Sequence, residues 1–310
     1  MTGEKTDIDH DTLVSVLMPC YNHEAYVISA LESVASSDFK LIEFIFIDDA
    51  SKDNSFNLAA NWFENNKDRF VRTVCIQHEE NRGICCTFNE LYVHSRGEYV
   101  SYLASDDLLL ANAISKQVSF AQCKGIDFIF SDCYLIDESG KLISDSALKY
   151  FRKNDRKLKK KVCLSTEIIY FWNAPWNKFF MKSALVKKIG LFDENLCYED
   201  RDFIIRVLIN GSFEFMADAT TAYRIRLKNR LTPGLILEDV MSDFRKADCK
   251  NYLYSSGVTR ILLGILVYTY EEKFMELGIK NAKFVMFATK MTGLFKSAIC
   301  KLHRVLVWRS

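Results

Sequence analysis

No segment of the chain offers 18 uninterrupted apolar residues, so the sequence predicts no membrane-spanning helix. No two of its ten cysteines have C-x-x-C spacing, and Cys85 and Cys86 are adjacent. No His-Cys cluster has ligand spacing, which argues against a zinc site. No signal peptide is recognised, so the cysteines are expected to be reduced thiols in a cytoplasmic protein rather than a disulfide frame. Neither charge sign is in excess. The formal net charge is only +1, which gives no support to a nucleic-acid partner. No Gly-x-Gly-x-x-Gly follows the first apolar run and no Gly-rich phosphate loop opens the chain. Those two absences count against a dehydrogenase and a nucleotidyltransferase.

What is there is ordinary globular material: 310 residues, 49% hydrophobic and 26% charged. That length supports one large core and a small appendage. Residues 1–12 are polar and read as a loose terminus. Val14–Met18 reads as a strand closed by Pro19. In Glu24 to Ala35, residues Ala25, Ile28, Leu31 and Val34 fall on one helical face. Leu41–Ile47 is a second strand, and Ser51 or Asp53 can cap the helix after it. Val71–Gln77 is a third strand, Cys85 to His94 a third helix, and Glu98–Leu103 a fourth strand. Four strands with interposed helices predict an α/β, doubly wound and mostly parallel sheet. Further strands are expected at Asp127–Ile136, Ser212–Ala217 and Thr220–Leu227, with helices beyond Pro233-Gly234, including Thr259–Leu277.

Acidic residues fall where such a sheet binds ligands, in the crevice beyond the carboxyl ends of its strands. Asp48-Asp49 follows the second strand and Asp106-Asp107 the fourth. Four carboxylates in one pocket would repel unless a cation or hydrogen-bond donors compensated. A divalent metal held with a phosphate ligand meets that need. Either pair alone is also explained by the preference of Asp for turns and helix caps.

Three stretches together resemble the family 2 glycosyltransferases. They are Val14-Ser-Val-Leu-Met-Pro-Cys-Tyr-Asn22, Ile45-Phe-Ile-Asp-Asp-Ala-Ser-Lys-Asp53 and Gly97-Glu-Tyr-Val-Ser-Tyr-Leu-Ala-Ser-Asp-Asp107. The similarity runs over roughly residues 13 to 225. It implies the GT-A nucleotide-diphospho-sugar transferase fold and transfer of a sugar with inversion. By that resemblance Pro19, Tyr21, Asp48 and Asp49 hold the nucleotide base, with Tyr21 stacking on it and Asp49 accepting from a uracil imide, which favours a UDP-sugar. Asp106 is the implied metal ligand on the diphosphate, for Mn²⁺ or Mg²⁺, with Asp107 either a supporting group behind it or an alternative ligand. Relatives often have Asp where this chain has Ala104, so the carboxylate used near the donor ribose is missing, and the resemblance implies that Ser105 partly replaces it in donor binding.

A later stretch, Cys197-Tyr-Glu-Asp-Arg-Asp-Phe-Ile-Ile-Arg206, resembles the Glu-Asp motif of the family, which makes Asp200 the general base and puts Glu199 toward the acceptor. Read as a helix, Asp200 shares a face with Phe203, Ile204 and Val207, so partial desolvation would raise its pKa and suit it to accept a proton. The same two acids also suit a helix N-terminus, and Asp202 with Arg206 is an ordinary i,i+4 ion pair. Trp172, Trp176 and Asn177 match an aromatic, amide-rich acceptor segment, or alternatively a buried turn around Pro175. Where many relatives have Tyr-Arg-x-His, this chain has Tyr223-Arg224-Ile225-Arg226, and Arg226 can contact phosphate but cannot bind metal.

The resemblance implies a glycan or an undecaprenyl-diphosphate-linked acceptor in surface polysaccharide (O-antigen or capsule) assembly. A non-catalytic nucleotide-sugar or glycan-binding protein is the rival reading. A domain boundary is expected near 228, with a helical region over 229–310. From Leu277 to Ser310 there are seven Lys or Arg and no acidic residue. That pattern fits either an amphipathic helix on the cytoplasmic face of an inner membrane or a helix packed on the domain with a solvated basic face. The basic run Arg152–Lys161 reads as a surface loop that can also hold an acceptor diphosphate.

Overall fold

Alternation in the first two strands decides the layering. In β1 (Val14–Cys20), Val14, Val16 and Met18 face one layer of core while Leu17 faces the other. In β2 (Ile42–Asp48), Ile42, Phe44 and Phe46 face the first layer, and Ile45 and Ile47 the second. Successive side chains of a strand point to opposite faces, so runs apolar at every position must be covered on both sides. A computed structural model describes residues 11–150, 158, 160–171, 179–196, 199–226 and 235–267.

On the first face lie α1 (Val27–Ala35), α2 (Ser55–Asn66) and α4 (Ala113–Lys124). Trp62, Phe63 and Phe70 gather around Phe44 there, with ring centroids 5.1–6.3 Å apart. On the second face α3 (Ile84–His94) packs, followed by α6 (Lys161–Phe171), α7 (Ser183–Ile189), α8 (Glu199–Asn210) and α10 (Gly257–Val267). A short α5 (Ala147–Tyr150) and α9 (Leu235–Tyr254) complete the helices named here. Phe179, Phe192 and Phe203 stack in the second core, Phe192 and Phe203 at 4.3 Å. Each such ring, fully buried, contributes about 1.5–3 kcal/mol.

The remaining strands are β3 (Arg72–Gln77), β4 (Tyr99–Tyr102), β5 (Leu108–Leu109), β6 (Phe128–Ile136), β7 (Leu142–Ser144), β8 (Phe180–Lys182) and β9 (Phe213–Arg224). Their order is β3-β2-β1-β4-β8-β6-β9-β5, with β7 on β6. The four expected strands pair in parallel, β1 lying between β2 and β4. Beyond β4 the sheet is mixed: β8 runs antiparallel to both β4 and β6, and β6 and β9 are parallel.

Two expected strands at the end of the sheet are one. β9 runs unbroken from Phe213 to Arg224, and register shifts opposite Ser131 to Cys133 absorb its extra residues, leaving Ala217 and Asp218 exposed. The exposed kink is what looks like a gap in the apolar pattern.

The C-terminal helices share the second core. Leu262 and Leu263 of α10 join the cluster that holds Ile168 and Phe203. In α9, Asp248 receives Arg201 of α8 through two hydrogen bonds of 2.9 and 3.0 Å, both residues buried. The expected Asp202–Arg206 ion pair is present at 2.8 Å, and Asn251 of α9 donates to the same Asp202. No disulfide joins the described cysteines, and no helix among the described residues is long and apolar enough to cross a membrane. The basic run at 152–161 and the segment from 277 onward lie largely or wholly outside the described residues.

Candidate active site

At the carboxyl ends of β1 and β2 the chain turns sharply. Ala50 sits at φ 60 and Asn22 at φ 55, left-handed conformations that tight turns impose. The two turns are stitched together. Asn22 donates its backbone N–H to Ser51 Oγ, and Ser51 in turn donates from N and Oγ to Asp48 at 2.9 and 2.6 Å. Asp48 is fully buried, so its carboxylate shapes the turn from beneath.

Asp49 takes the other direction. It lines a cavity of about 400 Å³ together with Pro19, Tyr21, Gly83, Thr87 and Ser105. Its Oδ1 accepts from the Arg82 backbone N–H at 2.8 Å and faces His78 Nδ1 at 2.7 Å, and its Oδ2 accepts from Gly83 N–H at 2.9 Å. Gly83 at φ 84 sits at the start of α3, which aims backbone N–H groups toward the carboxylate. Tyr21 is 40% exposed, leaving a ring face available at the cavity wall. Cys20 also lines the cavity, but burial pushes its thiol up to about 12, so it is no nucleophile.

The turn after β4 lines the same cavity through Ala104 and Ser105. Ser105 Oγ lies 2.8 Å from His23 Nδ1, and His23 Nε2 lies 4.0 Å from Asp106 Oδ2. Burial lowers the His23 pKa, and the neighbouring Asp106 opposes that shift. Asp106 Oδ2 is 2.9 Å from Arg226 Nη2, the two side chains being 13% and 21% exposed. Asp107 points elsewhere: it is buried, and its Oδ1 accepts from the Arg224 backbone N–H at 2.8 Å. Arg224 closes the turn from above, donating from Nε to the Asp106 carbonyl and stacking over Tyr26. Among the described residues no three His, Cys, Asp or Glu side chains cluster as a metal cage.

Asp200 stands in the first turn of α8. Burial raises its carboxyl to about 6, with the adjacent Arg201 and backbone N–H groups acting against that shift. The segment leading to it hangs on α3. Cys85 Sγ donates to the Leu196 carbonyl at 3.1 Å, and Asn89 donates to the Phe192 carbonyl and to Glu194. Gly83, Ile84 and Thr87 of the same helix and its approach line the cavity. Glu199 opens α8, but its side chain lies outside the described residues, as do Trp172, Trp176 and Asn177.

Thus Pro19, Tyr21, Asp49 and Ser105 wall one cavity, Asp106 adjoins it, and Asp48 and Asp107 support the turns. His23 and His78 were not picked out from the sequence. Each had a signal: His23 follows Asn22 directly in the first motif, and His78 is the first residue past β3, at the ligand-binding edge of the sheet.

A parallel half-sheet with a cavity at its carboxyl edge, extended by a mixed half, defines the GT-A class of fold. Solved structures agree in fold. S. aureus TarS in complex with UDP-GlcNAc matches with a TM-score of 0.63 at 20% identity, over 82% of this chain and 70% of that one. The mannosyltransferase PcManGT of Pyrobaculum calidifontis, solved with GDP-Man and Mn²⁺, matches with a TM-score of 0.57 at 14% identity, over 94% and 86%.

Residues 15–178 match the family described as Glycosyl transferase family 2, more than half of the chain. The chain belongs to that family. An uncharacterized glycosyltransferase of Rickettsia typhi is 30% identical over 66% of this chain, which spans 62% of that relative. A GalNAc(5)-diNAcBac-PP-undecaprenol beta-1,3-glucosyltransferase of Campylobacter jejuni is 25% identical over 95% of this chain and 97% of its own length. A UDP-Glc:alpha-D-GlcNAc-diphosphoundecaprenol beta-1,3-glucosyltransferase of Escherichia coli is 29% identical over 40% of this chain, which covers 47% of it.

Proposed function

We propose that this protein transfers a hexosyl group from a UDP-sugar to a hydroxyl of a glycan or undecaprenyl-diphosphate-linked acceptor, with inversion, in surface polysaccharide assembly at the cytoplasmic face of the inner membrane. The observation that carries the reading is a single cavity lined both by a donor-ringed Asp49 and by Ser105, the neighbour of Asp106. About 400 Å³ suits a nucleotide, and Asp49 Oδ2, already accepting from Gly83, retains a lone pair for an imide N–H. The two bacterial relatives named as undecaprenol-linked glucosyltransferases support the lipid-linked acceptor.

The residues fit a divalent ion of the Mg²⁺ or Mn²⁺ kind in a limited way. Asp106 would hold it, with His23 4.0 Å from that carboxylate and the remaining positions left to phosphate oxygens and water. When bound, the ion neutralises the charge gathering on the departing diphosphate. Asp200 takes the proton of the acceptor hydroxyl, whose oxygen forms a bond to the anomeric carbon as the bond to UDP breaks. Desolvation keeps the carboxyl basic enough for that step near neutral pH. Ser105 and His23 hold the turn that presents Asp106.

The test is a donor panel of UDP-, GDP- and dTDP-sugars, with Mn²⁺ or with EDTA, scored by nucleotide release with a lipid-diphosphate sugar acceptor. Release confined to a UDP-sugar and dependent on Mn²⁺ is expected. Nucleotide binding with no release in any arm would favour a non-catalytic binding protein.

A further inference from the structure

Polar side chains leave water only where partners offset the loss. In the run His78-Glu-Glu-Asn-Arg82, His78 is the buried member. Its backbone N–H donates to the Asp48 carbonyl at 2.8 Å, which carries the β2–β3 pairing one residue past β3 and fixes where the ring stands. Nδ1 then lies 2.7 Å from Asp49 Oδ1 and Nε2 lies 3.2 Å from Glu90 Oε2 on α3, with the imidazole 5% exposed. Carboxylate oxygens accept, so both ring nitrogens serve as donors. Arg82 closes the chain of charges, its guanidinium on Glu90 and its backbone N–H on Asp49 Oδ1. Oδ1 thus faces two donors, and Oδ2 faces one, the Gly83 N–H. With Oδ1 filled, Oδ2 is the oxygen left to accept from a ligand. A carboxylate ringed by donors has no proton of its own to give. Uracil offers an imide N–H where cytosine offers a bare ring nitrogen. The first is matched; the second sets acceptor against acceptor at a side chain only 6% exposed.

We propose that His78, anchored by Glu90, is the positioning residue that makes Asp49 read uracil and reject cytosine. The proposal rests on the nucleotide reading above. The ring touches Asp49 and not the base, so it acts through the carboxylate. Take the ring donor away and Oδ1 loses a charge-assisted hydrogen bond. The carboxyl is then free to turn, or to carry a proton that it can donate to the cytosine ring nitrogen. UDP loses a fixed acceptor while CDP gains a donor, so selectivity collapses from both sides. A residue that merely braced the fold would weaken the two nucleotides alike.

Calorimetric titration with UDP and with CDP tests this, because the shared diphosphate cancels in the ratio of the two affinities. His78→Phe fills the space without a donor, and its UDP-over-CDP ratio is expected to fall by about 10-fold or more, the worth of a hydrogen bond to a charged group. His78→Asn places an amide N–H near the position of Nδ1 and is expected to restore the ratio to within about threefold of the natural protein. Glu90→Gln leaves His78 in place but removes the charge that anchors it, and should lower the ratio by about threefold. That variant decides the matter if His78→Phe does not fold. An unchanged ratio in His78→Phe, including equal weakening of both nucleotides, overturns the role of His78. So does an Asn variant no more selective than the Phe variant, or an unchanged ratio in Glu90→Gln. Failure of the natural protein to bind UDP, or to prefer it to CDP, overturns the nucleotide reading itself, and this proposal with it.

Discussion

His78 Nδ1 lies 2.7 Å from Asp49 Oδ1, and His78 Nε2 lies 3.2 Å from Glu90, so the imidazole braces the cavity carboxylate from behind. With the N–H groups of Arg82 and Gly83 already pointing at it, Asp49 has little freedom to turn. A carboxylate fixed by three partners is preorganised to read a ligand rather than adapt to one.

Asp49→Asn should therefore weaken UDP binding by about 10- to 100-fold. The amide has the right shape, but its NH₂ must face either the Gly83 N–H or the Arg82 and His78 side. Calorimetry reads the affinity directly. An Asn variant that binds UDP as tightly as the natural protein would remove Asp49 from base recognition.

Asp200→Asn should abolish transfer while UDP affinity persists. A pH profile checks the same role independently. With the carboxyl raised to about 6, half of it accepts a proton at that pH, and the competent fraction falls tenfold for each unit below. The acid limb of kcat/KM should thus break near 6 rather than near the ordinary Asp value of 3.8. A flat profile between pH 5 and about 7 would count against Asp200 as base.

Asp248→Ala removes the carboxylate that meets the buried Arg201 guanidinium between α9 and α8. Stranding a buried charge costs about 3–5 kcal/mol, so denaturant unfolding should shift by that order. Exposed pairs such as Lys149–Asp145 should give under about 1 kcal/mol in the same assay. A negligible shift for Asp248→Ala would mean that α9 does not share the stability of the sheet.

Gly97→Ala tests the approach of β4 to β1. A Cβ there would lie 2.6 Å from the Ser15 backbone nitrogen and 2.8 Å from the Tyr99 carbonyl. The Gly97 N–H also donates to Ser15 Oγ and to the buried Glu43. Neither strand can yield without breaking those bonds, so a loss of about 1–3 kcal/mol and a lower Tm are expected. An unchanged Tm would show that this end of the sheet is looser than its packing implies.

The parallel half of the fold was legible because β1 and β2 are apolar at nearly every position and are bounded by Pro19, Asp48 and Asp49. β5, β7 and β8 were not, since runs of two or three residues carry no periodicity of their own and exist only through their partners. α4 escaped for a related reason: its buried face carries Gln117 and the short Ala113 and Ala121, so little apolar bulk marks it. At the site, residue types drew attention to both Asp pairs equally. Only the fold distinguishes the member that faces the cavity from those that tie turns, because at a turn the direction of each side chain is set by its tertiary hydrogen-bond partners and not by a sequence period. Asp48 and Asp107 are the members turned inward, toward Ser51 and the Arg224 N–H.

Helix α3 has a mechanical consequence. Its first turn lines the cavity, while Cys85 and Asn89 on its flank hold the carbonyls of Leu196 and Phe192, a few residues ahead of α8. One helix thus ties the cavity wall to the approach of α8, so any substitution that shifts α3 disturbs both together.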